Sequence, residues 1–158
     1  NFPYIEAGKR SPDRQPVAVA TVRAAFEAAD ARAGGDEPVW VGGKSFGGRM
    51  ASVAVAEGLS AAGLVFLGYP LHPPGKPERV RDEHLYGIEV PMLFLQGRKD
   101  PFATPAVLEP VLAKLPRATL HAVDGGGHSL ERSRKDDARE VAASLAPRVA
   151  AFMRGEPV

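Results

Sequence analysis

Val39-Trp40-Val41-Gly42-Gly43-Lys44-Ser45-Phe46-Gly47-Gly48-Arg49 is the stretch that decides the fold of this chain. It opens on a short apolar run that suits a buried strand. It then passes through glycines into residues 46–57, which suit a helix ending near Gly58. Inside it, Gly43-Lys44-Ser45-Phe46-Gly47 has the form G-x-S-x-G. Between a predicted strand and a predicted helix, that form presents a serine hydroxyl on a sharp, strained turn. Small residues on either side avoid the clash that a Cβ would cause. The helix N-terminus adds free N–H groups and a positive dipole end where an oxyanion would form.

Working outward, three further apolar runs read as strands, at residues 64–67, 92–95 and 119–123. Those at 39–41, 64–67 and 92–95 are continuously apolar rather than alternating, as strands covered on both faces are. Between and around them lie helical spacings. Val19, Val22, Phe26 and Ala29 recur at three and four, with Gly34-Gly35 as the stop. Thr104-Pro105 suits the start of a helix carrying Leu108, Val111, Leu112 and Leu115, in which Pro110 predicts a kink or a late start. The last helix is expected over 137–153, with Val141, Leu145, Val149 and Phe152 inward, Asp136 and Asp137 at its start, and Pro147 interrupting it. Strands and helices in alternation imply a mostly parallel sheet of about four strands with flanking helices. Residues 1–158 read as a single α/β domain. Residues 69–91 read as a long loop with one short helix over 78–85.

Three residues fall at strand exits and suit one another chemically. Ser45 needs a base to become a nucleophile. Of the four histidines, His128 in Gly125-Gly126-Gly127-His128-Ser129 follows the last strand, at the carboxyl end of the sheet where ligands bind. His121 lies within a strand pattern and reads as structural; His72 and His84 read first as surface histidines of the long loop. For the acid, Asp100 follows the third strand and stands ahead of Asp124, which would have to fold back to reach the imidazole. Ser45 as nucleophile, Asp100 as acid and His128 as base, with the backbone N–H of Phe46 as one oxyanion donor, suit acyl transfer to water. Tyr69 and Leu71, with His72 beside them, are expected to line the substrate pocket.

These stretches resemble the α/β-hydrolase superfamily, and within it the small dienelactone-hydrolase-like proteins. The resemblance rests on Asn1-Phe2-Pro3-Tyr4, the residues from Gly42 to Arg49, Gly68-Tyr69-Pro70-Leu71-His72-Pro73-Pro74-Gly75-Lys76, Phe94-Leu95-Gln96-Gly97 with Asp100, and Gly127-His128-Ser129. It implies a serine hydrolase of small esters, lactones or thioesters. Dienelactone hydrolases carry a cysteine where this chain has Ser45, so their substrate does not follow. The resemblance also begins partway through the fold. Earlier family strands, and the loop donating a second oxyanion N–H, have no counterpart before Ser45, a loss worth about 10²–10³ in rate. The strand at 39–41 would then have an exposed edge, to be met in trans, by a homodimer, or by the rest of a longer product. A non-catalytic interaction module on the same fold is the competing reading, and a peptidase or acyltransferase a third.

Composition narrows the rest. With 44% hydrophobic and 25% charged residues in 158, the chain suits a globular domain. A net charge of +1 makes no case for nucleic acid or an anionic membrane. The absence of cysteine excludes disulfides and thiol catalysis. No cluster has metal-ligand spacing and no dinucleotide fingerprint follows a strand, so no metal and no cofactor are expected. No leader is visible, which makes cytoplasm the default compartment. Lys76, Arg79, Arg81 and His84 form a basic stretch, read as a solvated helix face ahead of a substrate-carboxylate site. Lys9, Arg10 and Arg14 read as solvent-facing, and Trp40 as core.

Overall fold

In the computed structural model, which describes residues 1–35 and 37–158, four strands form one parallel sheet in the order β1-β2-β3-β4. They are β1 (Trp40–Lys44), β2 (Gly63–Leu67), β3 (Met92–Gly97) and β4 (Ala118–Val123). Around them lie α1 (Pro3–Glu6), α2 (Gln15–Ala33), α3 (Phe46–Ala56), α4 (Pro105–Leu112) and α5 (Ala138–Met153). The expected mostly parallel sheet with flanking helices is therefore what forms.

The buried runs explain the order of the sheet. All six residues of β3 are buried, because β2 and β4 pair with its two edges and both of its faces are covered. Its side chains alternate between two cores. Met92 and Phe94 join Leu64, Phe66 and Leu108 on one face, while Leu93 and Leu95 join Val123, Leu130 and Leu145 on the other. Each fully buried Leu or Phe stabilises the fold by roughly 1.5–3 kcal/mol relative to exposure. β1 pairs only with β2 among the described residues, so its other edge is free. Trp40 of β1 packs edge-on against Phe152 of α5, with centroids 5.6 Å apart.

Helix ends follow local chemistry. α2 stops where Gly34 takes a φ of 71°, the left-handed conformation that closes a helix. The Asp137 carboxylate caps α5 by accepting from the N–H groups of Arg139 and Glu140 at 2.8 and 3.2 Å. Asp136 does not serve that helix; it accepts from the N–H groups of Arg132 and Ser133 in the preceding loop. Pro110 and Pro147 both lie inside their helices, and neither ends one.

The loop at 69–91 departs from expectation. The short helix expected over 78–85 is a 3-10 turn at Glu83–Gly87. Residues before it run without regular structure, and Arg81 donates its N–H to the Leu71 carbonyl instead of to a helical neighbour. Lys76, Arg79 and Arg81 are exposed, as a solvated stretch should be, but on no helix. Leu71, Leu85 and Ile88 anchor this loop in the core. Among the described residues, no helix is long and apolar enough to cross a membrane.

Candidate active site

Ser45 sits at the junction of β1 and α3 with φ 52° and ψ −120°, a conformation that non-glycine residues avoid. Such strain costs about 1–3 kcal/mol and persists only where the surroundings hold it. Here the Ser45 N–H donates to the Leu67 carbonyl of β2 at 3.0 Å, tying the turn to the sheet. The close approach of strand and helix needs missing side chains at two places. A Cβ on Gly43 would lie 2.8 Å from the Gly47 carbonyl carbon and the Gly48 nitrogen, and one on Gly48 would lie 2.5 Å from the Gly43 oxygen. Gly47, the second glycine of the motif, has more room: a Cβ there would meet only Phe2, at 3.6 Å. Gly43 and Gly48 therefore make the tight contact.

The Ser45 hydroxyl lies 2.7 Å from His128 Nε2, and His128 Nδ1 lies 2.8 Å from Asp100 Oδ2. A carboxylate only accepts, so the proton belongs on Nδ1 and Nε2 is left to accept from the serine O–H. Asp100 is fully buried, and a buried carboxylate needs partners. It has three: His128 and the Gln96 side-chain amide, which donates at 2.6 Å, on Oδ2, and the Phe102 N–H at 2.8 Å on Oδ1. Asp124 points elsewhere, into an exposed pair with Arg98 at 2.7 Å.

The loop that carries His128 is pressed onto the ends of β2 and β3. Lys99 donates its N–H to the Gly126 carbonyl at 2.8 Å, and Gly127 donates its own to Glu131 at 2.7 Å. Gly68, just past β2, has φ 64°, and a Cβ there would lie 2.1 Å from the His128 carbonyl oxygen. On its outer side the imidazole meets the Phe102 ring edge-on, with centroids 4.5 Å apart. Phe46 is the first residue of α3, where a backbone N–H has no acceptor within the helix.

The expected pocket residues lie differently. Tyr69 and Leu71 are wholly buried, so they form the core beneath the site and present no open wall. His72 is not a surface residue either: it is 4% exposed, contacts the Phe102 ring and donates from Nδ1 to the Pro73 carbonyl at 2.9 Å. His84 belongs to a separate cluster. Its Nε2 lies 2.9 Å from Ser52 Oγ and 3.1 Å from Tyr69 OH, and those two oxygens are 3.0 Å apart. Burial, and then the Arg49 guanidinium, push the His84 imidazole down to about 4, while burial pushes the Tyr69 phenol up to about 12. His121 is partly buried on β4.

The alpha/beta hydrolase domain family matches residues 1–154. The chain belongs to this family. The likeness to dienelactone hydrolases stays a resemblance within it. Solved structures of similar fold include a protein of unknown function from Agrobacterium tumefaciens, with 16% identity and a TM-score of 0.75 over 99% of this chain and 69% of that one. An esterase from Pyrococcus furiosus is 13% identical with a TM-score of 0.69, over 87% of this chain and 61% of that one. A puromycin-hydrolyzing peptidase from Mycobacterium tuberculosis is 19% identical with a TM-score of 0.67, over 89% of this chain and 26% of that one. The chain thus spans only part of these proteins, and the likeness at such identities is one of fold.

Gln96 and Gly68 lie in the stretches that carry the family resemblance, but the sequence assigns neither a role at the site, and it does not point to Phe102. A polar residue closing the apolar run 92–95 was the available signal for Gln96. A glycine directly after a strand was the signal for Gly68. For Phe102, the two-residue spacing from Asp100 carried no signal of its own.

Proposed function

We propose that this hydrolase-family chain is a serine hydrolase that cleaves small carboxylic esters, lactones or thioesters through an acyl-enzyme. The observation that carries this reading is the continuous relay from Ser45 Oγ through both nitrogens of His128 to a buried Asp100. In it, His128 takes the Ser45 proton as the hydroxyl oxygen attacks the substrate carbonyl. Asp100 keeps Nε2 free to accept and stabilises the imidazolium that forms. The Phe46 N–H, at the positive end of α3, donates to the developing oxyanion. Collapse expels the alcohol or thiol, which takes a proton from His128, and water then releases the acid by the same steps.

Esters and thioesters are favoured over amides on leaving-group grounds. An alkoxide or thiolate departs from the tetrahedral intermediate more readily than an unprotonated amide nitrogen, which must first take a proton. The fold neighbours include both an esterase and a peptidase, which is consistent with either chemistry. Fluorophosphonate labelling of the folded chain, with p-nitrophenyl acetate hydrolysis alongside, tests the proposal. Covalent modification at Ser45, lost in Ser45→Ala, is the expected result. Folded wild-type protein that stays unlabelled beside a reactive control enzyme would favour the non-catalytic interaction module.

A further inference from the structure

We propose that Gln96 is a positioning residue for the Asp100–His128 pair, an inference that rests on the triad assigned above. Gln96 is the next-to-last residue of β3 and is 2% exposed. Burying a primary amide is unfavourable unless its oxygen and its nitrogen both find partners. Its Oε1 accepts from the Tyr69 backbone N–H at 2.8 Å, and its Nε2 donates to Asp100 Oδ2 at 2.6 Å.

Two features make this more than a satisfied core amide. First, the orientation of the amide is determined. The Tyr69 N–H can only donate, so it requires the carbonyl end of Gln96, and the NH₂ end must then face the carboxylate. Second, the oxygen that receives this bond is Oδ2, the same one that accepts from His128 Nδ1. The Phe102 N–H holds Oδ1. The carboxylate is therefore gripped at both oxygens, and its rotation about Cβ–Cγ is stopped with Oδ2 toward the imidazole. Gln96 also couples two strand exits. It joins the chain leaving β2 at Tyr69 to the acid that follows β3, next to Gly68, against which the His128 carbonyl rests.

The ionisable groups around the amide are Asp100 and, through it, His128. On the α4 side, Arg98 and Glu109 line a small pocket together with Gln96. Gln96 itself touches neither Ser45 nor His128 by any hydrogen bond in the structure, so it acts through Asp100.

The experiment measures saturable fluorophosphonate labelling of the full chain, separating the maximal rate from the half-saturating concentration. It uses wild type, Gln96→Met and Gln96→Glu, with thermal melts as the control for folding. Gln96→Met removes the donor at nearly constant shape. The maximal labelling rate is expected to fall about ten- to a hundredfold, the equivalent of one hydrogen bond to a charged group. The half-saturating concentration should stay unchanged.

Gln96→Glu keeps the acceptor for Tyr69 and offers a donor to Oδ2 only when its new carboxyl is protonated. Its rate divided by that of wild type should rise as pH is lowered from 9 to 5.5, while the same ratio for Gln96→Met stays flat. A structural role alone would lower the melting temperature and leave both ratios flat. The inference is overturned if Gln96→Met labels at the wild-type maximal rate, or if the Gln96→Glu ratio does not depend on pH. Wild type that fails to label at all overturns the triad assignment, and this inference with it. Wild type that labels while both variants match it overturns the inference alone.

Discussion

Two histidines in this domain touch a serine hydroxyl at nearly the same distance: His128 at 2.7 Å from Ser45, and His84 at 2.9 Å from Ser52. Only the first has the surroundings of a nucleophile. Ser45 occupies a strained turn, whereas Ser52 lies inside α3 and is completely buried. Behind His128 stands a carboxylate; the companion of His84 is the Tyr69 hydroxyl. The proton count differs as well. The Ser52 hydroxyl donates to the Arg49 carbonyl at 2.7 Å, a back-bond within the helix, which uses its only proton. The remaining contacts among Ser52, Tyr69 and His84 are best met when Tyr69 donates to Ser52 and His84 Nε2–H donates into the pair. His128 thus offers Nε2 as an acceptor and His84 offers it as a donor. Contact between a histidine and a serine says little about reactivity until the tautomer is accounted for.

Deleting each hydroxyl in turn separates the two serines most clearly. Ser45→Ala is expected to lower ester turnover by about 10⁶-fold, to background, as removal of such a nucleophile does elsewhere. Ser52→Ala should keep wild-type labelling but lose about 1–3 kcal/mol of stability, because Tyr69 and His84 lose their shared acceptor. Comparable turnover losses in both variants, at equal folded fraction, would mean that the two serines do not differ as argued.

The next effect concerns what stands behind the imidazole. Asp100→Asn is expected to cost roughly 10⁴-fold in turnover, because an amide that donates to Nδ1 imposes the wrong tautomer. Asp124→Asn should change nothing measurable, since Asp124 is exposed and meets only Arg98. Reversal of this order in a kinetic comparison would return Asp124 to the role of acid.

Why one histidine was legible in the sequence and the other was not follows from how each is placed. Ser45, Asp100 and His128 each follow a different strand of a parallel sheet, so their meeting at one edge is a consequence of topology. The apolar runs announced that topology, most fully at β3, where both faces are covered. The Ser52–Tyr69–His84 cluster has no such rule. It joins the middle of α3 to the chain just past β2 and to the 3-10 turn at Glu83–Gly87, and the helix expected over 78–85 does not form, with the Arg81 N–H given to the Leu71 carbonyl. The contacts of Gln96 are not legible for a related reason: its partners lie 27 residues back and four residues ahead, and the nearer one tells nothing about the direction of the side chain.

A smaller effect separates two glycines of similar backbone. Gly68 and Gly75 have φ values of 64° and 66°, but an added Cβ meets the His128 carbonyl at 2.1 Å in one and nothing within 4 Å in the other. Both alanine variants should lose the roughly 1 kcal/mol that a left-handed alanine costs. Only Gly68→Ala should also slow labelling of Ser45, by displacing His128. Equal labelling in both variants would show that the loop carrying His128 yields without consequence.

The smallest expected effect concerns acid, and its sign follows from the state in which His84 is buried. The folded imidazole titrates at about 4, against an ordinary value of 6.5, because burial and then Arg49 oppose its charge while Asp82 partly favours it. Between those values the unfolded chain binds a proton that the folded chain does not. Stability therefore rises with pH across that window, and acidification from about 6.5 toward 4 draws the protein toward the unfolded state. His84→Gln keeps an N–H donor for Ser52 and Tyr69 but has nothing to protonate. Urea denaturation at pH 7.5, 5.5 and 4.5 should show a smaller acid-induced loss for this variant than for wild type. Its labelling of Ser45 at pH 7.5 should be unchanged, since His84 contacts no member of the Ser45 relay. Parallel stability curves for the two proteins would mean that His84 is charged as easily in the fold as in the open chain. The contrast with His128, which in the proposed mechanism gains and loses a proton at each turnover, would then lose its basis.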